Sequence, residues 1–194
     1  MRRLALRVLL LLAVVGPAHA LQVTDDRGVT VTFAQTPQRI VSMLPSLTES
    51  VCAMEQCARL VGVDRYSNYP ASVKTLPVLG GGLDPNIEGI VALKPDVVLV
   101  AASSRASSRL ESLGVKVVAL ETKTHADVRR VLQTLGVLLV VPESQGADRL
   151  WRVIDSSVSA AAQSLSARAR NTLVYFEVSR GPMPLAKRPS SAKH

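Results

Sequence analysis

Residues 60–100 read LVGVDRYSNYPASVKTLPVLGGGLDPNIEGIVALKPDVVLV. Two apolar runs bracket this stretch, Leu60–Val63 and Val97–Val100. Each is too short for a helix and is bounded by turn-forming residues, the mark of a fully buried strand. Between them lie an aromatic-polar loop (Tyr66, Ser67, Asn68, Tyr69), a glycine run (Gly80, Gly81, Gly82) and a short helix ending at Leu93-Lys94-Pro95-Asp96. Strands that are apolar throughout are covered on both faces, which is the situation of a parallel sheet between helices. Open sheets of that kind bind ligands at the carboxyl ends of their strands. The stretch therefore reads as one wall of a ligand cleft.

The same grammar extends outward. Gln22 to Thr32 predicts a hairpin around Asp25-Asp26-Arg27-Gly28. Arg39–Met43 predicts a strand, followed by a helix to about Met54, with Ser46 as N-cap and Glu49 completing a capping box. A short helix is expected at Ala71–Lys74, an extended segment at Val78–Leu79, and a helix over Pro85–Leu93. Beyond Val100, Ser104–Leu113 predicts a helix stopped by Gly114, Val115–Leu120 a strand, and Thr124–Leu139 a helix. Alternation of strands and helices gives an α/β fold, a mostly parallel sheet flanked by helices. Glu143–Arg170 is different, because Leu150, Trp151, Ile154, Val158 and Leu165 keep a helical period. With Pro142 as the first helical residue, a single helix of roughly 40 Å is expected. Thr172–Val178 then predicts one further strand.

Of the 194 residues, 47% are hydrophobic and 20% charged, enough to bury a core. Met1–Ala20 predicts a signal peptide, with Arg2, Arg3 and Arg7 ahead of an apolar run and Ala18-His19-Ala20 before the cut. The formal charge of +8 is concentrated at the ends. Setting aside three arginines in the leader and the basic residues Arg180, Lys187, Arg188 and Lys193 leaves 16 basic residues against 15 acidic. A nearly neutral body offers no basic stripe for nucleic acid. Cys52 and Cys57 would meet an oxidising compartment after export and are placed to close a short loop as a disulfide. A redox or metal thiol pair is the alternative, weakly signalled by C-x4-C without a nearby histidine.

The order of RIVSMLPSLTE, LVGVDRYSNYP, the glycine-rich turn, IVALKPDVVLV and RLESLGVKVVAL, followed by a long helix, resembles the periplasmic substrate-binding proteins of ABC importers for cobalamin, ferric siderophores and haem. It is most similar to the cobalamin branch, over about Arg39 to Gly181. The resemblance implies two α/β lobes joined by a long backbone helix, with ligand held between them. On this chain it implies a lobe over residues 21–141, the backbone helix over 142–170, the start of a second lobe over 171–181 and a disordered basic tail over 182–194. The family continues with a whole second lobe at that point, so the chain is expected to be truncated and its ligand binding impaired.

The resemblance also implies roles. Tyr66 matches a ligand-contacting tyrosine. Pro45, Ser46, Gly80, Gly81, Ala102 and Ser103 are expected to face the same cleft, with Gly80 and Ala102 standing where cobalamin binders place tryptophans. Glu88 matches a glutamate that docks onto the inner-membrane permease. The ligand would be a corrinoid, haem or iron complex, with no resident cofactor and no metal site. Such a protein is periplasmic and monomeric, although a missing half would expose surface for dimerisation or aggregation.

His125, the sole histidine between leader and tail, cannot build a transition-metal site alone. The glycine run lacks the G-K-[ST] of a phosphate loop. No G-x-S-x-G elbow is present, and the S-x-x-K match at Ser190–Lys193 falls in the expected disordered tail, where no packed environment would activate the lysine. A small secreted α/β hydrolase would require Ser67 or Ser103 beside a buried base. A non-functional fragment or interaction protein is the remaining alternative.

Overall fold

The structure is a computed structural model that describes residues 20–170 and residue 172. The expected leader before Ala20 and the expected tail lie outside the described residues. So does the expected strand over Thr172–Val178, apart from Thr172.

Strand β1 (Leu21–Thr24) pairs antiparallel with β2 (Thr30–Phe33) as the predicted hairpin. The main sheet contains β3 (Ile40–Ser42), β4 (Leu60–Val63), β5 (Val97–Val100) and β6 (Val117–Ala119), in the order β4-β3-β5-β6. All three pairings are parallel. Helix α1 (Pro45–Ala53) leads from β3 to β4, α2 (Ile87–Ala92) from β4 to β5, and α3 (Ala106–Ser112) from β5 to β6. Right-handed crossovers that proceed to one side from β3 and then to the other place their helices on opposite faces. Accordingly Leu47 and Val51 of α1 pack with Ile40, Val97, Leu99 and Val118. Ile90 of α2 and Leu110 of α3 pack with Val41, Val98, Val100 and Val117. Alternate strand residues thus enter two different cores, and both must be apolar.

Two turns fix this sheet. Asp96 accepts the amide N–H groups of Gln38 and Arg39, each at 2.8 Å, while the Arg39 guanidinium donates to Leu93 O at 2.7 Å. The L-K-P-D turn thereby ties the entry of β5 to the entry of β3. At the opposite end, Asp25 accepts the amides of Arg27 at 2.9 Å, Val29 at 3.1 Å and Ala119 at 3.1 Å, and the Arg27 Nε at 2.9 Å. One buried carboxylate therefore joins the hairpin to the end of β6.

Several element boundaries differ from expectation. The N-cap of α1 is Leu44, with extended backbone, and Pro45 occupies the first turn; Ser46 makes no capping bond. A proline at N1 gives up no hydrogen bond, since that N–H has no helical partner. Helix α2 begins at Ile87 because Asn86 caps it, accepting Gly89 N at 2.9 Å, and Pro85 is drawn into a bridge with Gly80. Helix α4 (His125–Leu139) opens on a capping box of Thr124 and Asp127.

The expected long helix is shorter. Pro142 and Glu143 carbonyls accept Gln145 N at 3.0 Å and Gly146 N at 3.3 Å in a separate turn, and α5 runs Ala147–Ser164. That is roughly 27 Å rather than 40 Å. Ser166 accepts Ala169 N at 3.2 Å and starts a separate helix α6 (Ala167–Arg170), a serine side chain competing with helix continuation. The chain forms two compact units dividing between Ser156 and Ser157, and the first carries both sheets. Cys52 and Cys57 are joined in a disulfide across the turn after α1.

Candidate functional site

The chain leaves β3 toward one edge of the sheet and later returns to β5 on its other side. Loops after β3 and β5 therefore diverge, and a crevice forms at the carboxyl ends of these strands. A cavity of about 260 Å³ opens there. Its floor is Met43, Ile90, Val100 and Leu110, all buried core residues at the ends of β3 and β5 and on α2 and α3. At its mouth stand Tyr66, 65% exposed, and Leu83, fully exposed. Ser103 and Ser104 add hydroxyls at one edge, and Asp84 is the one charged residue among the described lining.

The loop bearing Tyr66 is held from beneath. Asp64, 1% exposed, accepts Tyr66 N at 3.1 Å and the Ser67 hydroxyl. Thr48 of α1 lies 2.9 Å from Ser67 Oγ and donates to Ser42 Oγ at 2.8 Å. These buried polar groups satisfy one another, which is the condition for placing them in a core at all. Arg65 ties the loop sideways. Its amide donates to Gly80 O at 2.7 Å and its guanidinium pairs with Asp84. The glycine run is thus fastened beside Tyr66. Gly80 sits at φ +85°, and a Cβ there would lie 2.3 Å from Asp84 O. It is the turn residue that sends the loop back, which no other residue type does without strain. A Cβ at Gly81 would approach Asp84 Oδ1 at 3.0 Å and the Tyr66 ring at 3.5 Å.

Of the residues singled out in the sequence, Tyr66, Gly81 and Ser103 line the cavity. Pro45, Ser46 and Gly80 are absent from its lining, Pro45 and Ser46 forming the first turn of α1. Ala102 borders a separate hollow with Glu121, Lys123, Asp127 and Arg130. Glu88 is exposed in the first turn of α2. Sequence reasoning missed Leu83, an apolar residue inside a Gly/Asp/Pro turn that stands at the rim of the cavity. It also missed Asp64 and Arg65, whose roles depend on contacts between distant loops.

Ser67 does stand beside a buried carboxylate, as a hydrolase reading requires. However, its hydroxyl is engaged with Asp64 and Thr48, and Ser67 does not line the cavity. The hollow beside Ala102 is lined by charged side chains, of which Arg130 pairs with both Asp26 and Asp127. The Thr124 hydroxyl, then Arg130, hold the Asp127 carboxyl down to about 2, and Arg130 also pairs with Asp26. Among the described residues no group of three or more His, Cys, Asp and Glu could hold a metal ion, and no helix is long and apolar enough to cross a membrane.

The family described as periplasmic binding protein matches residues 40–191. An uncharacterised ABC transporter substrate-binding lipoprotein of Bacillus subtilis is 27% identical over 172 residues, covering 82% of this chain and 52% of its own. A vitamin B12-binding protein of Pectobacterium carotovorum is 33% identical over 110 residues, covering 55% of this chain and 40% of its own. A crystal structure of a periplasmic heme-binding protein from Pseudomonas aeruginosa superposes with a TM-score of 0.62 at 31% identity, covering 66% of this chain and 46% of that one. The chain spans about half the length of these relatives.

Proposed function

This chain belongs to the periplasmic binding protein family, and on that premise we propose that it forms one wall of a cleft that captures cobalamin or a related haem or iron-chelate ligand outside the inner membrane, for delivery to an ABC permease. The observation that carries this reading is the cavity at the carboxyl ends of β3 and β5, with Tyr66 at its mouth. A large ring ligand is held by buried area supplemented with a few polar anchors, and a half-exposed tyrosine on a braced loop supplies both. Gly81 and Ser103 extend the same wall. Glu88, exposed on the short helix below the glycine run, is assigned to permease docking. The vitamin B12-binding and heme-binding relatives support the ligand class, and the family supports a periplasmic location.

In this reading the protein binds and releases its ligand without chemical change and holds no resident cofactor. It works as a monomer. The test is an equilibrium titration of the purified chain with cyanocobalamin and, separately, with haemin. One of the two should saturate, and Tyr66→Ala should weaken that binding about tenfold, the value of losing most of one aromatic contact. Saturation that is indifferent to Tyr66→Ala, or no saturation by either ligand, would overturn the reading.

A further inference from the structure

The cavity is more than a patch of cleft wall. Its floor residues Ile90, Val100 and Leu110 are at most 1% exposed, so the floor is closed against the core between α2 and α3 and the free space lies above it. Every described residue that lines it falls between Met43 and Leu110, so the pocket is built entirely within one lobe. Its charge is also distinctive. No Lys, Arg or His is among the described lining residues, and the Asp84 carboxylate is paired with Arg65. An anionic group entering this pocket would lose its water and meet no cationic side chain among the described lining, only the Ser103 and Ser104 hydroxyls at one edge. An apolar cavity of about 150 Å³ holds one benzene ring, whereas this one measures about 260 Å³.

We infer that this pocket binds a neutral, apolar group about the size of two fused rings, carried as a substituent of the ligand, with Leu83 and Tyr66 as its gateposts and Ala106 as its size-limiting wall. The inference rests on the proposed function only in assigning that group to the transported ligand; the pocket itself stands on its lining. It gives the ligand an orientation, because an uncharged aryl or cycloalkyl face points into this lobe while charged or strongly polar substituents remain outside.

Indole and indole-5-carboxylate form a matched probe pair of this size. Methyl NMR of the full chain should show saturable shifts at Met43, Ile90 and Leu110 with indole, and binding of the carboxylate about tenfold weaker or absent. Ala106→Leu fills the pocket and should abolish the shifts. Leu83→Asp changes a fully exposed side chain, so it leaves the core intact while placing a charge at the mouth; it should weaken indole about tenfold, whereas Leu83→Phe should retain it. The inference is overturned if indole fails to saturate, if its shifts fall elsewhere, or if a folded Leu83→Asp binds it unchanged. Indole binding without cyanocobalamin or haemin binding would leave the pocket standing and remove the proposed function. Cyanocobalamin or haemin binding without indole binding would do the reverse.

Discussion

Asp25 shows how one side chain can hold a fold together without any motif announcing it. Burial works against its ionised carboxyl, but hydrogen bonds from Arg27, then from the amides of Ala119, Val29 and Arg27, outweigh that and keep it below the ordinary aspartate value. A depressed folded-state value means that the unfolded chain binds the proton more readily. The contribution is therefore complete above about pH 4 and is lost as pH falls through the folded-state value. Asp25→Asn should destabilise the chain by about 2 kcal/mol at pH 7, the scale of a buried charged hydrogen-bond acceptor. In urea titrations that difference should shrink toward pH 3; a difference independent of pH would show that shape, and not charge, matters at this site. In the sequence Asp25 looks like an ordinary turn residue, because its partner Ala119 is 94 positions away. Gly80 illustrates the opposite error. The run Gly80–Gly82 signals a close backbone approach, and a ligand is one possible cause, but at Gly80 the cause is the chain's own Asp84 carbonyl.

At the scale of elements, what is readable depends on whether the forces are local. Strands β3, β5 and β6 appear as apolar runs because both faces are buried, and that requirement acts on every residue of the strand. Helix starts are set by individual caps. Thr124 is legible as the start of α4, since its hydroxyl meets Asp127 N only three residues on. Thr124→Ala should cost about 1 kcal/mol in thermal or chemical unfolding; no loss would mean that the Lys123 and Thr124 amides and Arg130, which still donate to Asp127, secure the helix start without the hydroxyl. Ser46 has the same sequence signature, yet Pro45 takes the first helical position and moves the cap back to Leu44. The break between α5 and α6 has no proline or glycine to mark it, only Ser164 and Ser166 with side-chain bonds to nearby backbone. Gly62 in β4 records a packing demand that the sequence does not disclose. A Cβ there would lie 2.5 Å from Leu79 Cδ1 and 2.8 Å from Leu93 Cδ1. Gly62→Ala should destabilise by roughly 1–3 kcal/mol, as overpacking does, and should do so without altering the cap-dependent behaviour of α4.

At the scale of the whole molecule, the net charge of the sequence and the lining of the ligand site differ in character, and this leads to a test. The sequence carries 23 basic and 15 acidic side chains, which by itself suggests an attraction for anions. The surplus lies toward the ends of the chain, while the cavity is lined by apolar groups and one paired carboxylate. That a cleft would form at the strand ends was legible from the α/β alternation. Which loops would border it was not, because the switch from β4 back to β5 is a property of strand order and is not written at any residue. If apolar burial dominates at this site, salt should hardly matter. Raising ionic strength from about 0.1 M to about 1 M shortens the screening length from roughly 10 Å to 3 Å, enough to remove long-range attraction between exposed charges. The Arg65–Asp84 pair that braces the glycine run is itself exposed, and pairs of that kind contribute about 1 kcal/mol or less. Affinity for cyanocobalamin or indole should accordingly change by no more than about twofold over that range, and weak salting-in or salting-out of the apolar surface would account for the remainder. A loss of about tenfold or more would instead mean that charge steers the ligand or that the Arg65–Asp84 brace governs the shape of the wall. Comparing Arg65→Gln with the unmodified chain at both salt concentrations separates the two, since a brace effect disappears with Arg65 and a steering effect does not.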